Sequence, residues 1–417
     1  MALVDAPMLM ALDGVVAQLP TDVVARAKTY LRLSGNGKTG AYSDPAGHLW
    51  VREAIASFIA RRDEDSTVAP DPQHIIADGA TNAVRIIMQL LIAGPSDGVL
   101  IPIPQFPLFT ALISLCGGTV APYYLDESVR WGFNVQNLEM SVQKLKDDGV
   151  TPRIMVVINP GNPTGQVFTR DTMEDVVRFC HEHNIILLAD EVYQDNIYGA
   201  DRVFHSFRKV ILSMPSPYNT TSCISLHSTS KGAVGECSRR GGYMELLNIA
   251  PNQRAQMLKL CSINLSSNFN GQVMTALMCS PPVEGDESYP LFRKEYDFIL
   301  SGLKERAELL TKELNSIEGI SCNSVDGAMY AFPQIYLPPK YVARCAALAQ
   351  EEEVAADARW ALELLEATGV VVVPGSGFLQ QQGTFHFRTT ILPPQDQMMA
   401  MTSAIRAFHT KIMESYA

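Results

Sequence analysis

A chain of 417 residues with 47% hydrophobic and 18% charged side chains is too apolar for intrinsic disorder, and its length predicts two domains. The net charge of -11 at pH 7 comes without a basic patch, so we do not expect nucleic acid as a partner. No stretch approaches the roughly 20 apolar residues of a membrane-spanning helix, so no membrane association is expected either.

Helices and strands alternate from about residue 48 onward. Apolar spacing predicts helices over 48–62, 80–93, 107–116 and 170–183. Short apolar runs predict strands at 74–77, 99–103, 154–158, 185–189 and 223–226. Because the strands are apolar on both faces and helices separate them, we expect an α/β fold with a mostly parallel sheet covered on both sides.

The pattern changes after about residue 285. A long helix is predicted within 290–317, followed by short strands at 328–335, 370–373 and 384–391, with helices between and after them. The sequence therefore predicts a large domain over 46–290 and a smaller α+β domain formed by 1–45 and 291–417. The long helix is expected to bridge the two domains.

Polar segments follow three of the predicted strands. They are NPGNPTG (159–165), DEVY (190–193) and STSKG (228–232). Each has an ordinary explanation, namely a turn, a helix cap and a surface lysine. Ligands bind beyond the carboxyl ends of parallel strands, however, so an amide, a carboxylate with a phenol, and a lysine with hydroxyls are expected to converge. Their occurrence on successive strand ends favours a functional site.

These groups are the ones that bind pyridoxal phosphate. The cofactor needs a lysine for its Schiff base and a buried carboxylate that keeps the pyridine nitrogen protonated. Small residues and hydroxyls at the start of a helix bind its phosphate, helped by the helix dipole. We therefore predict pyridoxal phosphate as the cofactor.

Longer motifs resemble a known family. The segments NPGNPTG, DEVYQDNIY, HSTSKG and RRGGYMEL resemble the class I aminotransferases of PLP fold type I. The segments GAYSDPAG near residue 40, IPIPQFPLF near 101, and VVVPGSGF with TFHFRTTILPP near the end narrow the resemblance to the alanine aminotransferase family. The resemblance covers the chain from about residue 40 to the C-terminus. It implies a large domain with a mostly parallel mixed sheet and a smaller α+β domain.

The resemblance implies roles for residues around the cofactor ring. Lys231 would form the Schiff base and then act as the general base on the Cα proton. Asp190 would pair with the pyridine nitrogen, and Tyr193 and Asn162 would hydrogen-bond the phenolic oxygen of the ring. Phe106 would stack on the ring face, with a plain core aromatic as the alternative.

The phosphate and the substrate would be bound by a second group of residues. The resemblance assigns the phosphate to Ala80, Thr81, Ser228 and an arginine, for which the R-G-G spacing favours Arg240 over Arg239. Tyr42 would reach the phosphate of a neighbouring subunit, so the implied partner is a second copy that shares the active sites. Arg388 would bind the substrate α-carboxylate together with Asn162, with a strand-edge surface charge as the alternative for Arg388.

The implied reaction is a ping-pong transamination between L-alanine and 2-oxoglutarate, giving pyruvate and L-glutamate. Glutamate–glyoxylate transamination is one alternative. A lyase that shares every cofactor contact and releases ammonia is another. Family members have several dozen more residues before the point where this chain begins, which leaves a cofactor-binding subunit of weak activity as a further alternative.

The segment before Arg26 has no cation and contains Asp5 and Asp13, so it resembles neither a signal nor a transit peptide. We therefore expect a cytoplasmic protein, with a mitochondrial location as the alternative if the N-terminus is incomplete. The eight cysteines include no CxxC pair, so neither a disulfide scaffold nor a metal site is expected.

Overall fold

The computed structural model describes residues 1–64, 66, 68–352 and 354–417. Its helices are α1 (Ala2–Asp5), α2 (Asp13–Val16), α3 (Thr21–Leu33), α4 (Leu49–Arg62), α5 (Ala80–Leu91), α6 (Leu108–Cys116), α7 (Val135–Asp147), α8 (Arg170–Glu182), α9 (Phe207–Ser213), α10 (Pro251–Ile263), α11 (Phe269–Cys279), α12 (Tyr289–Asn315), α13 (Pro339–Glu352), α14 (Ala356–Thr368) and α15 (Gln395–Ser415). Its strands are β1 (Ile75–Ile76), β2 (Asp97–Ile103), β3 (Thr119–Tyr124), β4 (Thr151–Ile158), β5 (Ile186–Asp190), β6 (Cys223–Ser228), β7 (Gly242–Leu247), β8 (Ile320–Ser321), β9 (Tyr330–Ala331), β10 (Gln334–Ile335), β11 (Val373–Pro374) and β12 (Phe387–Thr390). Within these ranges, no helix has both the length and the apolarity needed to cross a membrane.

The main sheet has the strand order β1, β7, β6, β5, β4, β2, β3. Strands β2 to β6 run parallel to one another, whereas β7 is antiparallel to β6 and β1 is antiparallel to β7. The predicted α/β fold with a mostly parallel sheet is thereby confirmed. A smaller sheet has the order β11, β12, β9, and β10 pairs with β8.

Buried side chains lie on both faces of the main sheet. Val156 and Leu188 belong to the apolar cluster on one face, and their chain neighbours Val157 and Leu187 belong to the cluster on the other. Successive side chains of a strand point to opposite faces, so a sheet covered by helices on both sides needs apolar residues throughout its strands. This is why the central strands are recognisable from the sequence as continuous apolar runs.

Two strands of the main sheet were not predicted, and each lacks such a run. Strand β3 lies at the sheet edge, and half-exposed or exposed side chains alternate with buried ones along its second half. Strand β7 is buried but contains Glu245, whose carboxylate accepts a 2.7 Å hydrogen bond from the buried guanidinium of Arg208. A paired charge inside a buried strand interrupts the apolar pattern.

The short strands of the C-terminal part differ from the prediction. The run at 328–335 forms two strands, β9 and β10, which Phe332 and Pro333 separate. The predicted strand at 370–373 is wrong except for its last residue, because β11 begins at Val373 and pairs with β12 over only two residues. Val371 is apolar but 71% exposed, so the apolar run at this position does not mark a buried strand.

A separate buried cluster forms among the C-terminal elements around Trp360, Leu310 and Phe387. The long helix predicted within 290–317 is α12, and its second half packs into this cluster. Helices α1 and α3 instead pack with α4 and α11, which lie in the range predicted for the large domain, through Leu31, Ile55 and other residues. The predicted grouping of 1–45 with the C-terminal segment, and the domain bounds in general, stay predictions.

Candidate active site

The three polar segments expected at the strand ends do meet at one edge of the sheet. Asp190 is the last residue of β5 and pairs in register with Ile158 of β4 and Leu226 of β6. Asn162 follows β4 and Lys231 follows β6, so amide, carboxylate and amine come from three adjacent parallel strands. The positions follow from the parallel pairing, because the carboxyl ends of such strands share an edge.

Lys231 is surrounded by aromatic hydroxyls. Its Nζ donates a hydrogen bond of 3.3 Å to the hydroxyl of Tyr330 and lies 5.2 Å from the centroid of the Tyr193 ring. The hydroxyl of Tyr193 donates to that of Tyr330, also at 3.3 Å. Tyr330 was not predicted as a site residue, although it joins the predicted Lys231 and Tyr193.

The two phenols differ in acidity. Although burial opposes it, the charge of Lys231 and the hydrogen bonds from Tyr193 and Lys231 lower the pKa of Tyr330. Burial and the neighbouring Tyr330 raise the pKa of Tyr193. Tyr193 therefore stays protonated and is a hydrogen-bond donor. The Tyr330 hydroxyl accepts hydrogen bonds from both Tyr193 and Lys231.

Asp190 is a buried carboxyl with few partners. Burial raises its pKa to about 6, against the opposing effects of the Val192 N–H and the charge of Lys231. The Val192 hydrogen bond is long, at 3.4 Å. A buried carboxylate that lacks a strong donor is stabilised by a cationic N–H group, such as the protonated nitrogen of a pyridine ring.

Arg388 reaches the site from the smaller sheet. Its Nη1 donates a 3.1 Å hydrogen bond to Oδ1 of Asn162, and its guanidinium carbon lies 4.4 Å from the centroid of the Tyr330 ring and 5.0 Å from that of Phe378. Tyr330 pairs directly with Thr390, so Arg388, two residues earlier in β12, is its diagonal neighbour on the same face. Strand β12 is the middle strand of its sheet, which makes the strand-edge alternative for Arg388 wrong.

A second set of groups lies at the start of α5, which begins with Ala80 and Thr81. A Cβ added at Gly79 would lie 3.0 Å from the backbone oxygen and 3.7 Å from Nη2 of Arg240, so this arginine closely approaches the helix start. Arg239 instead binds Asp5, with 3.2 Å between Nη1 and Oδ2. The structure thus places Arg240, and not Arg239, beside the helix N-terminus.

Ser228, at the end of β6, is near the same place. Its hydroxyl donates to the oxygen of Gly241 at 3.3 Å and accepts from the Ser230 N–H at 3.1 Å. A cation, a hydroxyl and the unpaired N–H groups of a 12-residue helix are the usual donors for a phosphate dianion. Asp78 is also present here and accepts from the Gly79 N–H at 2.7 Å.

Phe106 and Tyr42, the remaining two predicted site residues, make fewer contacts with the other site residues. Phe106 is half-buried, and its ring makes an edge contact with Phe109 at a centroid distance of 6.4 Å. Tyr42 is 79% exposed. In the described part of the chain, its side chain has no hydrogen bond or ring contact with the other candidates.

The donor set fits pyridoxal phosphate. It combines a lysine among phenols, a buried acid with a raised pKa, and a cation at the N-terminus of a helix, which are the groups that the aldehyde, ring nitrogen and phosphate require. Among the described residues, no group of three or more His, Cys, Asp or Glu side chains is placed to hold a metal ion.

Glu191 follows Asp190 but takes part in a different, buried cluster that the sequence pattern did not reveal. Its Oε1 accepts a 2.7 Å hydrogen bond from the Phe207 N–H, and among the described residues Oε2 has no hydrogen-bond partner. Burial raises its pKa to about 8, although the charge of Arg62 opposes the rise. The folded chain therefore holds a proton that the unfolded chain releases above the ordinary glutamate pKa.

The substitution Glu191→Gln should remove this pH dependence. Folded-state protonation stabilises the chain fully below the unfolded pKa, and this stability is lost as the pH rises through about 8. We expect the free energy of unfolding in urea to match the parent at about pH 5 and to exceed it by on the order of 2 kcal/mol at about pH 8. The exposed Glu308→Gln is the control, with the same difference at both pH values. A Glu191→Gln difference that does not change with pH would contradict the assignment.

Comparisons with known proteins agree with the geometry. Residues 12–405 match the family described as aminotransferase class I and II. The chain is 45% identical over 416 residues to alanine aminotransferase 2 of Panicum miliaceum, covering 100% of this chain and 85% of that protein. It is also 45% identical over 417 residues to glutamate–glyoxylate aminotransferase 1 of Arabidopsis thaliana, with the same coverage. The solved structure of an alanine aminotransferase from Pyrococcus furiosus has the same fold, with a TM-score of 0.76 and 24% identity over 93% of this chain and 88% of that one.

Proposed function

This chain belongs to the class I and II aminotransferases, and we propose that it transfers the amino group of L-alanine to 2-oxoglutarate, giving pyruvate and L-glutamate. The proposed cofactor is pyridoxal phosphate, which is typical of the family. The contact of both Lys231 and Arg388 with Tyr330 carries the proposal. An α-amino acid has its carboxylate and its Cα–H on the same carbon, so it needs a guanidinium and a base at one place.

The substrate is bound and deprotonated by residues around Tyr330. The guanidinium of Arg388 binds the planar α-carboxylate with two parallel N–H groups. The Nζ of Lys231, in its neutral form, takes the Cα proton and later returns it. The Tyr330 hydroxyl, at 3.3 Å, holds this Nζ in position.

The cofactor is held by the remaining residues. When bound, pyridoxal phosphate supplies an electron sink for the negative charge that forms as the Cα proton leaves. The Asp190 carboxylate would accept the ring N–H and compensate its charge. Because Asn162 Oδ1 accepts from Arg388, its Nδ2 would donate to the ring oxygen. The Tyr193 hydroxyl would donate to the same oxygen in place of its bond to Tyr330. Ala80, Thr81, Ser228 and Arg240 would hold the phosphate, and Phe106 would cover the ring.

The two named relatives support different substrates equally, since the identity to each is 45%. The deciding experiment supplies the purified chain with pyridoxal phosphate and measures the initial rates with alanine and 2-oxoglutarate and with glutamate and glyoxylate. We expect the higher kcat/KM for alanine. A higher kcat/KM for glutamate with glyoxylate would replace the alanine assignment.

Two controls in the same experiment separate the remaining alternatives. Ammonia release from alanine without an oxo acid would identify a lyase. No product from any amino acid, while the cofactor stays bound, would identify a weakly active subunit. Pyruvate formation that depends on the added oxo acid supports transamination.

The substitution Tyr330→Phe tests the proposed support of Lys231. It removes a hydroxyl that bonds both Lys231 and Tyr193, and it keeps the ring on which Arg388 lies. We expect kcat for transamination to fall by about five- to tenfold, the equivalent of one or two hydrogen bonds. Tyr336→Phe, at a tyrosine that is 54% exposed, is the matched control. A kcat equal to that of Tyr336→Phe would exclude a role for the Tyr330 hydroxyl.

We also infer a homodimer with shared active sites, in which Tyr42 reaches the phosphate site of the partner. Its support is the exposure of the Tyr42 side chain, which leaves it free to contact a second copy. The cytoplasmic location stays a prediction.

A further inference from the structure

A histidine next to β12 joins two distant parts of the chain. Nε2 of His386 lies 3.0 Å from Oε2 of Glu127, which follows β3 of the main sheet, and the two residues are 259 positions apart. His386 is 1% exposed. It lies beside a cleft of about 800 Å³ between the main sheet and the C-terminal elements, and Glu127 also lines that cleft.

The imidazole ring is held by aromatic neighbours. It stacks on Phe332 at a centroid distance of 4.8 Å with an interplanar angle of 1°, and it lies 5.7 Å from the indole of Trp131. Phe332 belongs to the C-terminal part and Trp131 to the main domain. The ring therefore lies in a packed contact between the two parts, with its Nε2 directed at Glu127.

The hydrogen-bond network assigns the protons of this ring. The Nε2 of Gln380 donates to the carboxylate of Asp357 at 2.8 Å, which leaves the Gln380 Oε1 as the atom that faces Nδ1 of His386, also at 2.8 Å. Nδ1 must then carry a proton, because an amide oxygen only accepts. A hydrogen bond from Nε2 to Glu127 requires a second proton, so the pair forms between an imidazolium and a carboxylate.

This pair is connected directly to the proposed substrate arginine. His386 precedes β12, and Arg388 is two residues further along the same extended segment. The oxygen of His386 accepts from the Gly375 N–H at 2.7 Å, and Arg388 pairs in register with Val373. On the other side, Nδ2 of Asn323 donates to the backbone oxygen of Glu127 at 2.8 Å. Two peptide units therefore separate His386 from Arg388.

We propose that Glu127 and His386 are positioning residues for substrate binding: their ion pair holds the strand that carries Arg388 against the main domain and so sets the affinity for the substrate carboxylate. The inference rests on the proposed function, because it assumes that Arg388 binds the substrate. Neither residue touches the reacting atoms. Their effect acts through the position of the Arg388 guanidinium.

The test is Glu127→Gln, an isosteric change that removes the charge. The control is Glu139→Gln, because Glu139 makes the same kind of contact with His183, at 3.0 Å, far from β12 in the chain. For Glu127→Gln we expect the KM for alanine to rise about five- to tenfold, with kcat within about twofold of the parent value. Glu139→Gln should leave both constants unchanged.

A large fall in kcat together with the rise in KM, or a KM equal to that of Glu139→Gln, would overturn the positioning role. A second measurement does not need turnover. In the chain without substrate, amide hydrogen exchange over 384–391 should be faster in Glu127→Gln than in the parent and in Glu139→Gln. Unchanged exchange overturns the inference, whereas faster exchange in a chain that does not turn over alanine would refute only the proposed function.

Discussion

Replacing Lys231 with alanine is expected to lower transamination by about 10⁴-fold or more, because the same Nζ is the proposed cofactor attachment and the proposed base. Its contacts with the Tyr330 hydroxyl and the Tyr193 ring show that no other amine among the described residues occupies this position. The measurement is pyruvate formation from alanine and 2-oxoglutarate, with the variant supplied with excess pyridoxal phosphate.

The control for this change is Lys259→Ala, which removes an exposed lysine of α10. Its activity should equal that of the parent. The urea unfolding midpoints of both variants should stay near the parent value, so that a loss of activity in Lys231→Ala is not a loss of fold. A Lys231→Ala variant that retains activity within about tenfold of the parent would exclude the assigned role.

Arg388→Ala is expected to have the second-largest effect, and mainly on substrate binding. Two charge-assisted hydrogen bonds to a carboxylate contribute about 3 kcal/mol, which corresponds to a rise of about 10²-fold in the KM for alanine. The affinity for pyridoxal phosphate should change by less than about threefold, since the arginine contacts Asn162, Tyr330 and Phe378 and not the phosphate groups.

Two further variants test the geometry behind this effect. Arg388→Lys keeps the charge but loses the planar fork, so we expect it to recover only part of the affinity. Arg406→Ala, on the outer helix α15, removes a guanidinium that binds Ser316, and it should leave the KM unchanged. Equal losses of cofactor and alanine affinity in Arg388→Ala would argue against a carboxylate-binding role.

Residues that follow continuous apolar strands were predictable. Asp190 comes directly after such a run, and Asn162 and Lys231 follow their runs within five residues. Parallel pairing brings the ends of adjacent runs together. The sequence did not decide which arginine lies next to the start of α5, because Arg239 and Arg240 are adjacent in the chain. The structure separates them, since Arg240 approaches Gly79 and Arg239 binds Asp5.

Tyr330 and His386 follow no continuous apolar run, so the sequence pattern did not indicate them as functional residues. Tyr330 belongs to a strand of two residues, and its place beside Lys231 depends on how the smaller sheet packs on the main one. The alternation around β12 does place Arg388 on the same face as Thr390, which pairs with Tyr330. To predict Tyr330 as a neighbour of Arg388 from the sequence, one would need to know the pairing of Thr390 with Tyr330, which are about 60 positions apart.

The sequence by itself predicted five of the seven strands of the main sheet. It also predicted that a lysine, an acid and an amide, which follow three of these strands, meet at one edge. It could do so because a sheet buried on both faces requires apolar runs, and parallel strands deliver whatever follows those runs to a common edge. Only the tertiary structure decided the neighbours of Lys231 and the support of Arg388. Those contacts join β6, β9 and β12 with the turn at Glu127, and the packing of one domain on another leaves no periodic pattern in the chain.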